Sequence, residues 1–125
     1  MKLYSKDHKW VKKVKSDNSG DYKIGVTSYA LNELGEVCFI QTISGVGYAI
    51  SQGVSFGSIE SVKACSEMIA PVSGIITLDR SNDIRDYSTI SGDTDLIWVH
   101  LTDETELNDL MTEEEYNEYL ESIKG

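Results

Sequence analysis

The feature that most constrains this chain is its punctuation. Apolar and β-branched residues come in short runs, and each run stops at a glycine or a polar turn, a pattern that favours many short strands over a few long helices. Lys9-Trp10-Val11-Lys12-Lys13-Val14 predicts a first strand, Ser16-Asp17-Asn18-Ser19-Gly20-Asp21 a turn, and Tyr22-Lys23-Ile24-Gly25-Val26 the returning strand of a hairpin. Residues 36–42, 55–62, 64–69, 75–78 and 96–101 read as further strands, with a turn at Pro71-Val72-Ser73-Gly74. Two stretches break the pattern. Tyr29, Ala30, Leu31 and Leu34 have helical spacing and Gly35 is placed to stop them. Near the end, Thr102 or Asp103 is placed to cap a short helix holding Leu107, Leu110 and Met111. Thr112-Glu113-Glu114-Glu115 has capping-box spacing, and Tyr116, Tyr119, Leu120 and Ile123 then mark one apolar face of a final helix. The expected fold is mainly β, a sandwich of short hairpins with small helices at 28–34 and at the C-terminus.

A length of 125 residues suits one domain with a real core, here residues 1–125 with a C-terminal helical segment at 103–123. No apolar run is long enough to span a bilayer, and the first residues lack a signal-peptide core. The formal net charge of -10 argues against nucleic-acid binding. The charge is uneven: residues 1–23 hold seven lysines against three acids, while the remainder is strongly acidic. An acidic body suits a partner with a basic face, and it equally suits plain solubility. Cys38 and Cys65 have no CxxC neighbour and are expected as small buried or half-buried thiols. No metal site is expected, because His8 and His100 lie far from each other and from any cysteine pair. Nor does any Ser, Cys or Asp have a neighbourhood that would activate it as a nucleophile.

Lysine placement is the most informative local feature. Between Lys23 and Lys124 there is only Lys63, and it falls where two strand-like runs meet, in Ile59-Glu60-Ser61-Val62-Lys63-Ala64-Cys65-Ser66. A lysine at a hairpin tip holds its amine clear of the body on a flexible stem, where a modifying enzyme can acylate it. By itself a turn lysine is also an ordinary solvated surface residue.

Neighbouring motifs decide between these readings. Phe56-Gly57, then Glu60-Ser61-Val62-Lys63-Ala64, then Ala70-Pro71-Val72-Ser73-Gly74 resemble the lipoyl-attachment hairpin of the glycine cleavage H-protein family. Tyr4-Ser5-Lys6-Asp7-His8-Lys9-Trp10-Val11, Ile24-Gly25-Val26-Thr27 with Tyr29-Ala30, and Leu34-Gly35-Glu36 resemble other parts of that family. The likeness covers most of residues 4–78 and resumes at 96–120.

The resemblance implies a barrel-sandwich hybrid fold, lipoate held covalently as lipoyl-lysine at Lys63, and a non-catalytic carrier rather than an enzyme. It implies a monomer that shuttles the aminomethyl group of glycine from the P protein (glycine decarboxylase) to the T protein (aminomethyltransferase), with the L protein (dihydrolipoamide dehydrogenase) reoxidising the arm. A lipoate ligase or a lipoyl/octanoyl transferase would load it. Glu60 and Gly47 match family positions tied to recognition by that loading enzyme. Read as residues alone, Glu60 is equally a solvated strand residue and Gly47 a turn needing positive φ. Trp10 is expected in the core, and His8 as structural or at the surface. The compartment implied is cytoplasmic in a bacterium, or the mitochondrial or a related organelle matrix in a eukaryote.

Segment 79–95 departs from the family. Tyr87-Ser88-Thr89-Ile90-Ser91-Gly92-Asp93-Thr94-Asp95 stands where asparagine-x-aspartate-proline-tyrosine-glycine and then glycine-tryptophan are usual. Pro71 is the one proline, so the proline usual before Val46-Gly47 is missing too. The altered loop is expected on a surface that meets partners or shelters the arm. It favours, as the alternative function, a specialised H-like carrier or lipoyl/octanoyl relay serving other lipoyl proteins. A biotin carrier shares the hairpin lysine but usually sets methionine on both sides of it, where this chain has Val62 and Ala64.

Overall fold

The structure is a computed structural model that describes residues 1–14, 21–43 and 45–124. Among the described residues nine strands and two α-helices follow in order: β1 (Lys2–Tyr4), β2 (Lys9–Lys13), β3 (Asp21–Val26), α1 (Ser28–Leu34), β4 (Val37–Thr42), β5 (Ala49–Ile50), β6 (Ser55–Ser61), β7 (Cys65–Ile69), β8 (Gly74–Asp79), β9 (Asp95–Leu101) and α2 (Glu113–Lys124). They form a six-stranded sheet, β1-β2-β3-β9-β8-β5, and a three-stranded sheet, β4-β6-β7. All the pairings are antiparallel.

Register builds the core directly. Leu3, Val11, Ile24 and Ile97 stand opposite one another across β1, β2, β3 and β9, and Tyr22, Val99 and Ile76 form a parallel row. The smaller sheet contributes Phe56, Ile40, Ile59 and Met68, all buried with Val11, Ile24, Ile97 and Val99 in one cluster. Each such side chain removed from water stabilises the fold by roughly 1.5–3 kcal/mol. Trp10, next to Val11 on its strand, points to the opposite face. It is 2 % exposed there, with the Lys2 ammonium 4.3 Å from its ring centroid.

Local chemistry explains the helices. The Thr27 hydroxyl caps α1 by accepting from Ala30 N–H, and Gly35, at φ 84°, ends it with a hydrogen bond to the Leu31 carbonyl. At α2 the capping box closes in both directions: Thr112 N–H donates to the Glu115 carboxylate at 2.9 Å, and Glu115 N–H to Oγ1 of Thr112 at 3.2 Å. The Tyr116 ring stacks on Tyr4, their centroids 4.6 Å apart. The apolar face then runs out, with Ile123 43 % exposed.

Four expectations need correction or supplement. Cys38 and Cys65 are free and exposed, not buried. Cys65 pairs with Glu60 and Glu60 with Phe39, so these three share the outward face of the small sheet, and Cys38 sits at a register shift beside them. The short helix after Asp103 is a 3-10 turn over Glu104–Asp109, and it excludes Leu110 and Met111. Met111 instead bridges to Tyr4. Strands β1 and β5 and two 3-10 turns, Ser81–Asp83 and Tyr87–Thr89, carry no periodic signal long enough to read. The turn at 16–21 lies outside the described residues except for Asp21, which begins β3.

Candidate functional site

The most distinctive turn joins β6 to β7. Ser58, Ile59 and Glu60 pair with Glu67, Ser66 and Cys65, which leaves residues 61–64 to reverse the chain. Ser61 closes it twice. Its N–H donates to the Ala64 carbonyl at 2.8 Å, and its hydroxyl oxygen accepts from the N–H groups of Lys63 (3.3 Å) and Ala64 (3.1 Å). Val62 N–H donates to the Glu36 carbonyl, tying the tip to the start of β4. Glu60-Ser61-Val62-Lys63-Ala64 is therefore a folding instruction. It makes a braced turn that presents one lysine.

Lys63 is exposed at this tip. Its stem passes over Gly35, where a Cβ would lie 3.5 Å from Cε of Lys63. Among the described residues its amine makes no hydrogen bond or ion pair. An accessible primary amine on a rigid base fits amide attachment of a carboxylic acid such as lipoate, so Lys63 is the residue that would hold it.

Glu60 stands exposed on the same hairpin, in the last strand pair before the turn. Gly47 does not join them. It lies in the connection between β4 and β5, and its N–H donates to the Ile76 carbonyl at 2.8 Å. That connection leaves β4 at Thr42, five residues along the strand from Val37 beside the tip, a span of roughly 16 Å. Gly47 has φ 92°, the left-handed region.

A groove opens beside the hairpin, with a volume of about 490 Å³. Val26, Ala30, Leu34, Ile59 and Ile69 supply its apolar wall, Ser66 and Glu67 of β7 form one side, and Lys6, Asp7, His8 and Lys9 another. His8 takes a left-handed backbone, φ 64°. Its Nδ1 lies 2.8 Å from the Tyr116 hydroxyl, which is itself 2.8 Å from the Thr27 hydroxyl, so His8 joins a hydrogen-bonded chain that ties α2 to the cap of α1. Burial pushes the His8 pKa below its ordinary value, and the neighbouring Lys9 charge pushes it further.

Lys9 is the residue that sequence reasoning missed. It shares strand parity with Val11, so it faces inward at the mouth of the sandwich. It is 5 % exposed, and its ammonium donates to the Asp7 carbonyl at 2.8 Å. Burial lowers its pKa to about 8. The inward parity was present in the alternation around Trp10 and Val11.

The divergent segment lies elsewhere. The Asp79 carboxylate accepts from the Thr42 hydroxyl at 2.7 Å and Tyr87 meets Phe39 edge-on, so the first part of segment 79–95 packs along β4, while the Lys2 ammonium donates to the Asp93 carboxylate at 2.6 Å; none of the segment lines the groove. Among the described residues no cluster of His, Cys, Asp and Glu is arranged to hold a metal ion, and no helix is long and apolar enough to cross a membrane.

Two packed sheets with a lysine on the braced turn between β6 and β7 define a barrel-sandwich hybrid protein. Comparison with known proteins narrows the class. The chain belongs to the glycine cleavage H-protein family, whose profile matches residues 2–123. It is 38% identical to the glycine cleavage system H protein of Koribacter versatilis over 125 residues, covering 98% of this chain and 93% of that one. It is 39% identical to the H protein of Thermoanaerobacter sp. strain X514 over 121 residues, covering 94% and 92%. The crystal structure of an H protein from Mycobacterium marinum superposes with a TM-score of 0.75 at 32% identity, covering 92% of each chain.

Proposed function

We propose that the chain is a lipoyl carrier of the glycine cleavage system, with lipoate in amide linkage to Lys63. The observation that carries this reading is the exposed amine of Lys63, unpaired among the described residues, at the end of a turn braced by Ser61 and tied to Glu36. Bound there, lipoate supplies a redox-active dithiolane at the end of a long tether, and the chemistry performed on it belongs to the cofactor and the partner enzymes. The protein's own part is mechanical. β6 and β7 fix the attachment point, the lysine stem lets the tether swing, and the exposed surround admits partners one after another.

In this reading the carrier is a non-catalytic, monomeric single domain across residues 1–125. It passes the aminomethyl group of glycine from the P protein to the T protein and returns to the L protein for reoxidation. A lipoate ligase or lipoyl/octanoyl transferase loads it, reading Glu60 beside the tip and Gly47 at the far end of β4. The relatives named above are bacterial, which supports a cytoplasmic setting.

Two measurements test the proposal. Intact and peptide mass of protein from its native source should show a lipoyl adduct on Lys63. Glycine-dependent NADH formation by the reconstituted system should vanish with Lys63→Ala. Undiminished turnover by that variant refutes the carrier role. An adduct on Lys63 without support of the T-protein step would instead favour a specialised carrier or lipoyl/octanoyl relay, a reading motivated by the rewritten segment 79–95.

A further inference from the structure

We propose that the outward face of the large sheet, at Lys12, Lys23 and Trp98, docks an acidic helix of a partner protein, with two carboxylates one turn apart on the two ammoniums and an apolar side chain on the indole. Register carries the inference. Val11, Ile24 and Ile97 turn into the core, so their neighbours Lys12, Lys23 and Trp98 turn outward. Lys2 stands opposite Lys12, Lys12 opposite Lys23 and Lys23 opposite Trp98, which sets three lysines side by side across β1, β2 and β3. Like charges directly opposite each other in a sheet repel and cost stability. The row stands in a chain of net charge -10, so it is a local reversal of sign.

The acids near this row leave Lys12 and Lys23 open. Asp93 and Glu113 lie beside Lys2; Asp93 takes the Lys2 ammonium at 2.6 Å and also feels the Lys12 charge. Asp21 meets His100 at 3.4 Å, and Asp95 lies 3.4 Å from Arg80 and accepts from the Trp98 indole N–H. Among the described residues Lys12 and Lys23 make no ion pair. Lys12 is exposed, Lys23 and Trp98 are half-buried, and the Lys23 ammonium lies 5.6 Å from the Trp98 ring centroid. Two open cations beside an aromatic face call for carboxylates with an apolar residue next to them. Spacing selects a helix. Neighbouring strands lie about 4.8 Å apart, and side chains at i and i+4 of a helix about 5–6 Å apart. A phosphate backbone fits worse, because the acidic remainder of the chain repels a long polyanion, and a second copy carries the same net charge of -10. The face belongs to the sheet that does not hold the Lys63 hairpin, so a partner held here leaves the tip open. Docking needs no group on Lys63 and stands or falls separately from the carrier reading.

The probe is a capped alanine-based helical peptide with glutamates at i and i+4 and leucine at i+7, titrated into the full-length protein at low salt and followed by amide NMR. The same peptide with glutamines is the control. The glutamate peptide should shift the signals of Lys12, Lys23 and the Trp98 indole N–H, and its binding should weaken as salt rises. It should bind about tenfold tighter than the glutamine peptide, the scale of two exposed ion pairs. Replacing its leucine by alanine should weaken it several-fold. Lys12→Gln together with Lys23→Gln should remove the preference for glutamate. If that variant shows a disturbed fold, the peptide series on the wild type decides. Equal binding of the two peptides overturns the proposal, as do shifts confined to other parts of the molecule. Tighter binding of single-stranded oligothymidylate than of the glutamate peptide overturns it in favour of a nucleic acid. Self-association of the protein that is lost with Glu118→Gln overturns it in favour of a second copy.

Discussion

Lys63 and Lys9 carry the same side chain into opposite surroundings. At the hairpin tip the Ser61 hydroxyl meets the N–H groups of Lys63 and Ala64, and the Lys63 amine stands exposed with no partner among the described residues. In the groove the strand parity of Lys9 turns its side chain into the lining it shares with Val26, Ile59 and Ile69, and among the described residues its ammonium makes one hydrogen bond, to the Asp7 carbonyl, with the Asp7 charge nearby. The first arrangement leaves the amine free to be modified. The second costs stability and persists in spite of that cost. A residue type therefore says little about its use; the backbone that aims it says most.

The comparison breaks first at Lys9. Its pKa is about 8 in the folded protein against an ordinary 10.5, so between those values the unfolded chain binds more protons than the folded one. Stability must then rise with pH across that window, and the penalty is fully present below pH 8. The rise attributable to Lys9 is on the order of 3 kcal/mol, since each tenfold loss of proton affinity on folding is worth about 1.4 kcal/mol. Urea unfolding of wild type and Lys9→Met from pH 7 to 10.5 isolates it, because other groups titrate in both proteins. The difference should grow in favour of wild type as pH rises. Parallel curves would show a hydrated amine, and the contrast with Lys63 would be gone.

The two regions are not equally legible in the sequence. The hairpin can be read because its turn chemistry is local: Ser61 bonds to residues two and three further on, so the motif carries its own geometry. The longer strands and the capping box at Thr112 and Glu115 are legible for the same reason. The groove cannot be read, since Lys9, Leu34, Ile59 and Glu67 meet only when both sheets and α1 are assembled. The exposure of Cys38 and Cys65 escapes the sequence because period-2 alternation sorts a strand into two faces without saying which faces water. Register against Glu60 settles that, and it exists only in the folded sheet.

A smaller effect tests how far the exposed region extends. Gly47 holds φ 92°, and a Cβ there would meet no atom within 4 Å, so Gly47→Ala is strained by its backbone alone. The expected cost is about 1–2 kcal/mol in thermal or urea unfolding. If the loading enzyme reads this loop, attachment to Lys63 should slow beyond what the lost stability explains. Attachment at the wild-type rate would make Gly47 a structural glycine and confine recognition to the hairpin that bears Glu60.

The smallest effect lies at the brace itself. Ser61→Ala removes the oxygen that accepts from Lys63 and Ala64 N–H but leaves the backbone bond from Ser61 to Ala64 in place. Both freed N–H groups are exposed and turn to water, so global stability should fall by only about 0.5–1 kcal/mol. The local consequence should be larger than the global one. Amide exchange at Lys63 and Ala64 should quicken several-fold, because the tip then opens without unfolding the sheet. Attachment to Lys63 reports whether that rigidity matters. A slower rate with unchanged stability would mean that the enzyme requires a turn already set in shape. An unchanged rate would mean that reach alone suffices, and that the tip differs from the groove only in its exposure to solvent.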